Sequence, residues 1–144
     1  MEEKCAIHNI SEINNAACKY ITKRIKEENL SILQNHVPIF FILPKDGSSL
    51  IFNEIAKIWN ISKSSLSDII NKYEKQGLLI KNVCMDDKRS ICISLTEEAI
   101  LVREKLENIE AEILEIMLKD FDDNKKHDFE KNITQCLNNI RKML

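Results

Sequence analysis

The sequence predicts a mainly α-helical fold that carries one small β-hairpin. Glycine and proline are scarce, two of each in 144 residues, so the chain lacks the turn residues that a many-stranded architecture consumes. Apolar residues recur at three- and four-residue steps over most of the length, and the period changes to two in one stretch, after Gly77. Hydrophobic residues at 44% and charged residues at 31% are ordinary globular chemistry and exclude a disordered or fibrous class.

The first helix is expected over 8–28, where Ile10, Ile13, Ala17, Tyr20 or Ile21, and Ile25 share one face. Residues 37–43, VPIFFIL, are apolar on nearly all sides. Pro38 suits a first helical turn, where its missing N–H would be unpaired anyway, so a short buried helix is expected there. It stops at PKDG, 44–47, which has turn chemistry. Residues 50–52 make a brief strand, and Asn53 is read as the N-cap of a helix over 54–59 with Ile55, Ala56 and Trp59 on one side. Asn60 tolerates the left-handed backbone of a tight turn, and Ser62 caps the next helix, 63–76, whose Leu66, Ile69, Ile70 and Tyr73 face inward. Gly77 ends that helix at C′. Helix, short turn, helix is thus written in local chemistry alone.

Residues 78–84 and 90–95 then read as a hairpin, the wing, with Ile91, Ile93 and Leu95 on its buried face. Taking Asp87 and Lys88 as the central turn residues sets Cys84 opposite Ile91 and Cys92 opposite Val83. The two sulfurs then face opposite sides of the sheet, and no disulfide between them is expected. Thr96 caps a long helix with Glu97 and Glu98 in its first turn and a stripe of Val102, Leu106, Ile109, Ile113 and Ile116. A polar break at 120–126 precedes a last helix with Phe129, Ile133, Leu137, Ile140 and Leu144 in register. The fold class is a winged helix-turn-helix domain plus N- and C-terminal helices.

Several function classes find no support. No apolar run approaches the ~20 residues of a membrane span, and the N-terminal MEEKCAIHNISEINN has no basic segment followed by an apolar one, so a cytoplasmic location is expected. Five scattered cysteines form no C-x-x-C pair, and His8, His36 and His127 are dispersed, so no metal site and no cofactor are expected. There is no Gly-rich phosphate loop, no H-E-x-x-H and no nucleophile elbow; an enzyme is not expected. The net charge of −2 hides an asymmetry. Residues 62–92 carry six Lys/Arg against four Asp/Glu, whereas 93–144 carry eight against twelve.

That asymmetry and the 63–76 helix point to double-stranded DNA. With the aliphatic face turned inward, Ser64, Ser67, Asp68, Asn71 and Lys75 turn outward, and small serines, Ser65 among them, let the backbone approach base edges in a major groove. Asp68 can accept from cytosine N4 or exclude unwanted sequences. Lys63 and Lys72 flank the face and would grip phosphate. At the hairpin tip, Lys88 and Arg89 can enter a minor groove or meet phosphate, and Asp87 and Arg89 can pair to hold the turn; the two readings are compatible. The same polar face also fits a plain solvated helix, or a winged-helix module that uses the acidic C-terminal half for protein-protein contact.

Four stretches carry a resemblance to the MarR (multiple antibiotic resistance regulator) family: IAKIWNIS at 55–62, SSLSDII at 64–70, QGLL at 76–79, and above all DDKR at 86–89 followed by Leu95-Thr96. Asp68 departs from the family's usual basic or neutral residue, and Ala99 stands where a Gly is common. The resemblance implies a transcriptional regulator, read as a repressor, that binds a pseudo-palindromic operator as a homodimer and is released by a small-molecule effector. It also implies a single domain in which a DNA-binding lobe spans about 31–95 while the first and last helices, about 5–30 and 96–144, interlock between two chains. His36, Phe40 and Phe41 become candidates to line the effector pocket. Because some relatives sense peroxide through an N-terminal-helix thiol, Cys5 and Cys18 become candidates for a redox function.

Overall fold

The computed structural model describes residues 5–144, which form two compact units, one through Glu110 and one from Ala111 to Leu144. In the first unit, helix α1 (Ala6–Glu27) ends on Asn29 with φ +55°, and the Leu30 N–H returns to the Ile25 carbonyl. An asparagine here does what glycine usually does at a helix C-terminus. A 3₁₀ turn (Gln34–His36), which the sequence reading did not foresee, leads into α2 (Pro38–Ile42) with proline in the first turn, as expected. The turn at 44–47 closes through the Gly47 N–H to the Pro44 carbonyl, and Asp46 accepts from both the backbone N–H and the hydroxyl of Ser48. Those two bonds hold the Asp46 carboxyl below its ordinary range.

Strand β1 (Leu50–Ile51) runs straight into α3 (Phe52–Trp59). The helix starts two residues earlier than expected and Ile51, not Asn53, holds the N-cap position, without a side-chain cap. Asn60 has φ +57°, the left-handed turn read from its side chain, and the Ser62 hydroxyl accepts from the Ser65 N–H at the start of α4 (Lys63–Lys75). At the other end the Leu78 N–H reaches the Tyr73 carbonyl and the Gly77 N–H reaches the Glu74 carbonyl, the pair of bonds that defines a glycine-terminated helix, with Gly77 at φ +76°.

Strands β2 (Leu79–Val83) and β3 (Ile91–Leu95) are the wing, and the antiparallel sheet runs β1-β3-β2. Its register corrects the sequence reading by one residue. Val83 pairs with Ile91 and Asn82 with Cys92, so the loop is centred on Asp87 rather than between Asp87 and Lys88. Because side chains alternate with a period of two, that slip puts Cys84 and Cys92 on the same face, and a disulfide joins them across a Cα–Cα distance of 5.3 Å. The expected absence of this bond is thereby overturned.

Helix α5 (Glu97–Met117) is capped by Thr96, whose hydroxyl accepts from the Ala99 N–H and donates to the Gly77 carbonyl, pinning the helix start to the end of α4. The core of this unit is Ile39, Phe40, Leu43, Ile55, Leu66, Ile70, Tyr73, Leu79, Ile93 and Ile109, all essentially solvent-free. Arg103 ties α5 to it: Nη1 donates to the Leu43 carbonyl at 2.8 Å, and the guanidinium lies over the Phe41 ring. Glu107 accepts from Lys45 and Arg103, which hold its carboxyl below the usual range.

In the second unit, Asp122 caps α6 (Asp123–Arg141) by accepting from the Lys125 N–H, and Phe121 meets Phe129 edge to face. No residue of α6 is buried. None of the described helices is long and apolar enough to cross a membrane.

Candidate nucleic-acid interface

Helix α4 is held from behind by Leu66, Ile69, Ile70 and Tyr73, all buried. That apolar spine leaves the opposite face free of packing, and the structure places Lys63, Ser64, Ser65, Asp68, Asn71 and Lys75 there, exposed. Ser67 and Lys72 are half-buried at its margins, with the Lys72 ammonium 5.6 Å from the Tyr73 ring centre. The serines at the helix start are partly spoken for: Ser62 Oγ lies 2.9 Å from Ser65 Oγ and 3.3 Å from Ser64 Oγ. Their hydroxyls form a capping cluster where the helix N-terminus presents its free N–H groups, the end that favours an anion.

One residue of this surface escaped the sequence reading. Lys81, on β2, donates to Asn71 Oδ1 at 2.7 Å and lies 3.5 Å from Glu74. It joins the outer face of α4 to the wing through the Asn71 carboxamide oxygen, which leaves the carboxamide nitrogen as a donor. Strand alternation was the available signal, because Lys81 shares the side of Leu79 and Val83 and pairs with Ile93, next to the recognition helix rather than in open solvent.

At the wing tip, Asp87 accepts three hydrogen bonds from within the loop. Its carboxylate accepts from the Arg89 backbone N–H at 2.9 Å and from the Ser90 hydroxyl, while its carbonyl accepts from the Ser90 N–H. In the pairing read from the sequence for this turn, the acid engages the backbone of Arg89 and not its guanidinium. Lys88 and Arg89 are exposed and make no ion pair among the described residues. A fixed loop with two unpaired cations is an arrangement suited to a polyanion.

The other candidates sit on other elements, α1, the 3₁₀ turn and α2. His36 Nδ1 is 2.8 Å from the Tyr73 hydroxyl, and burial first, then the nearby Lys72 charge, push its pKa below the ordinary histidine value. His36 also lines a cavity of about 400 Å³ with Asn35, Trp59, Ile61, Ser65, Asp68 and Ile69. Phe40 is wholly buried against Tyr73, and Phe41 is half-buried beneath Arg103. Cys5 is exposed at the start of α1; Cys18 is half-buried and accepts from Gln34 Nε2. Among the described residues no three His, Cys, Asp or Glu side chains come together as a metal site.

Comparison with known proteins gives the same picture. Residues 30–99 match the winged helix DNA-binding domain family. A 54-residue stretch, 38% of the chain, is 35% identical to the organic hydroperoxide resistance transcriptional regulator of Bacillus subtilis (strain 168) and spans 37% of that protein. The fold is similar to a MarR transcriptional regulator from Methanosarcina mazei Go1, with a TM-score of 0.83 and 21% identity over 95% of this chain and 96% of that one. It is also similar to the S. aureus MepR–DNA complex, with a TM-score of 0.75 and 18% identity over 95% and 99% of the two chains. At such identities the structural likeness establishes the fold, and the resemblance read from the motifs stands.

Proposed function

We propose that this chain, whose residues 30–99 match the winged helix DNA-binding domain and whose fold is like that of MarR regulators, is a MarR-type transcriptional regulator, acting as a repressor, that binds a pseudo-palindromic DNA operator as a homodimer in the cytoplasm. The observation that carries this reading is a helix with two faces: four buried apolar residues behind, and an unpacked row of Ser64, Asp68, Asn71 and Lys75 in front. In a major groove that row would meet base edges, Asn71 suiting adenine and Asp68 suiting cytosine, while Lys63, Lys72 and the wing's Lys88 and Arg89 would hold phosphates. The MepR structure with DNA lends the reading support from a protein of the same fold.

The lobe that would touch DNA is about 31–95, and the helices outside it, about 5–30 and 96–144, would join two copies. Support comes from what they leave uncovered. On α1, Ile7, Ile10 and Ile13 are 69%, 56% and 47% exposed, and on α6, Ile133 and Ile140 are 49% and 57% exposed. Apolar rows of this kind on helices are normal at subunit contacts and costly in water. The His36 cavity is where a small effector would sit, one wall being Ser65 and Asp68 of the recognition helix, so that occupancy would disturb the reading face.

Titrating a random-sequence duplex, followed by fluorescence anisotropy at several salt concentrations, tests the DNA reading. Binding that weakens steeply with salt is expected. Absence of any binding at low salt would replace it with a protein-protein role.

A further inference from the structure

We propose that Cys84 and Cys92 are a reversible thiol–disulfide site that sets the order of the wing tip. The two cysteines bracket the loop: Cys84 directly follows β2, Cys92 lies within β3, and the disulfide closes the segment that holds Asp86, Asp87, Lys88 and Arg89. The remaining described cysteines, Cys5, Cys18 and Cys136, are free thiols, so the pairing is selective.

The strands themselves do not depend on this bond. Five residue pairs already register β2 with β3, and the Cys84 N–H donates to the Ser90 carbonyl just beyond the last of them. What the disulfide adds is a covalent base to a loop otherwise held by the Cys84–Ser90 backbone bond and by exposed hydrogen bonds that Asp87 accepts. Closing a loop removes conformations from its open state, and here the conformations removed are those of Lys88 and Arg89. A protein that works on DNA shares its compartment with the cell's reducing thiols, where disulfides form transiently rather than as permanent staples.

Exposure assigns the order of events. Cys84 is buried and Cys92 half-buried, so Cys92 meets the oxidant first. With a hydroperoxide, the Cys92 thiolate attacks one peroxide oxygen, an S–O bond forms as the O–O bond breaks, and the departing alkoxide takes a proton to leave as an alcohol. The Cys84 thiolate then attacks the sulfenic sulfur, the S–S bond forms, and hydroxide leaves and is protonated to water. Two thiols supply the two electrons that reduce the peroxide. A dithiol reverses the change by exchange, taking up the disulfide bond itself.

The oxidised wing holds its two cations in place and grips DNA more tightly, by about three- to ten-fold, because less order has to be imposed on binding. That grip and the reducing surroundings rest on the DNA reading above; the pairing of the two thiols does not. The test treats the full chain with hydrogen peroxide or dithiothreitol, maps the disulfide by peptide mass, and measures amide exchange over 85–90 together with affinity for a random-sequence duplex. A Cys84–Cys92 peptide pair lighter by two hydrogen atoms, slower exchange in the tip and tighter DNA binding are expected on oxidation. All three should reverse with dithiothreitol and be absent from Cys84→Ser and Cys92→Ser. Equal tip exchange in the two redox states, a response that survives in both variants, or a bond that resists excess dithiothreitol in the folded protein would overturn the proposal. A change in tip exchange with no DNA binding in either state would support the thiol site and discard the DNA reading.

Discussion

His36 Nδ1 lies 2.8 Å from the hydroxyl oxygen of Tyr73, which also accepts from the Leu33 N–H at 3.2 Å. The phenol therefore ties the 3₁₀ turn to the inner face of α4. The Tyr73 hydroxyl and His36 Nδ1 share one hydrogen bond, and the imidazole tautomer sets which of them donates. Tyr73→Phe leaves the ring packing intact and removes both bonds. A loss of about 1–3 kcal/mol in urea unfolding is expected, since two half-buried groups lose their partner.

The same pair sets a pH dependence. The folded pKa of His36 lies below its unfolded value, so the unfolded chain binds the proton first as the solution is acidified. The stability contributed by neutral His36 is present above the unfolded pKa of about 6.5, declines as pH falls below it, and is gone once the pH passes the depressed folded value. Urea midpoints measured from pH 8 to 5 should fall for the wild-type chain and fall less for His36→Gln.

Arg89 is exposed and unpaired by its guanidinium, with its backbone already fixed by Asp87. Arg89→Ala is expected to weaken DNA binding by roughly 1–3 kcal/mol on all sequences alike and to lower the salt slope by about one. Unchanged affinity and slope in anisotropy titrations would remove Arg89 from the interface.

Asn60 turns the chain between α3 and α4 at φ +57°. Asn60→Gly should leave stability nearly unchanged, whereas Asn60→Ala should cost about 1 kcal/mol, because a Cβ without a polar group disfavours the left-handed region. Thermal unfolding of the two variants decides between backbone conformation and side-chain contact.

On α6, Ile133 and Leu137 lie one turn apart and both are exposed. Replacing both with Glu should leave each chain folded and shift sedimentation at micromolar concentration from dimer to monomer. A wild-type chain that sediments as a monomer would discard the dimer.

Much of this was legible in the sequence because it depends on neighbours a few positions away. The Ser62 cap, the left-handed Asn60, Gly77 at C′ and the inward row of Leu66, Ile69, Ile70 and Tyr73 all follow from local backbone chemistry, and each appears in the structure. Illegible features depend on register or on distant contacts. Nothing local distinguishes a loop centred on Asp87 from one centred a half-step later, yet that choice decides whether Cys84 can reach Cys92. The Lys81–Asn71 and His36–Tyr73 bonds join residues 10 and 37 positions apart and were invisible for the same reason. Asn53 failed as a cap because β1 feeds α3 without a break, leaving Ile51 at that position.

Selection of bound fragments from random DNA bears most directly on the proposal that α4 reads base edges twice by symmetry. Enrichment of two inverted half-sites whose centres lie about 34 Å apart is expected, with Asn71→Ala relaxing the preference at one position of each. Fragments that show no shared sequence, or a single site without inverted symmetry, would contradict it.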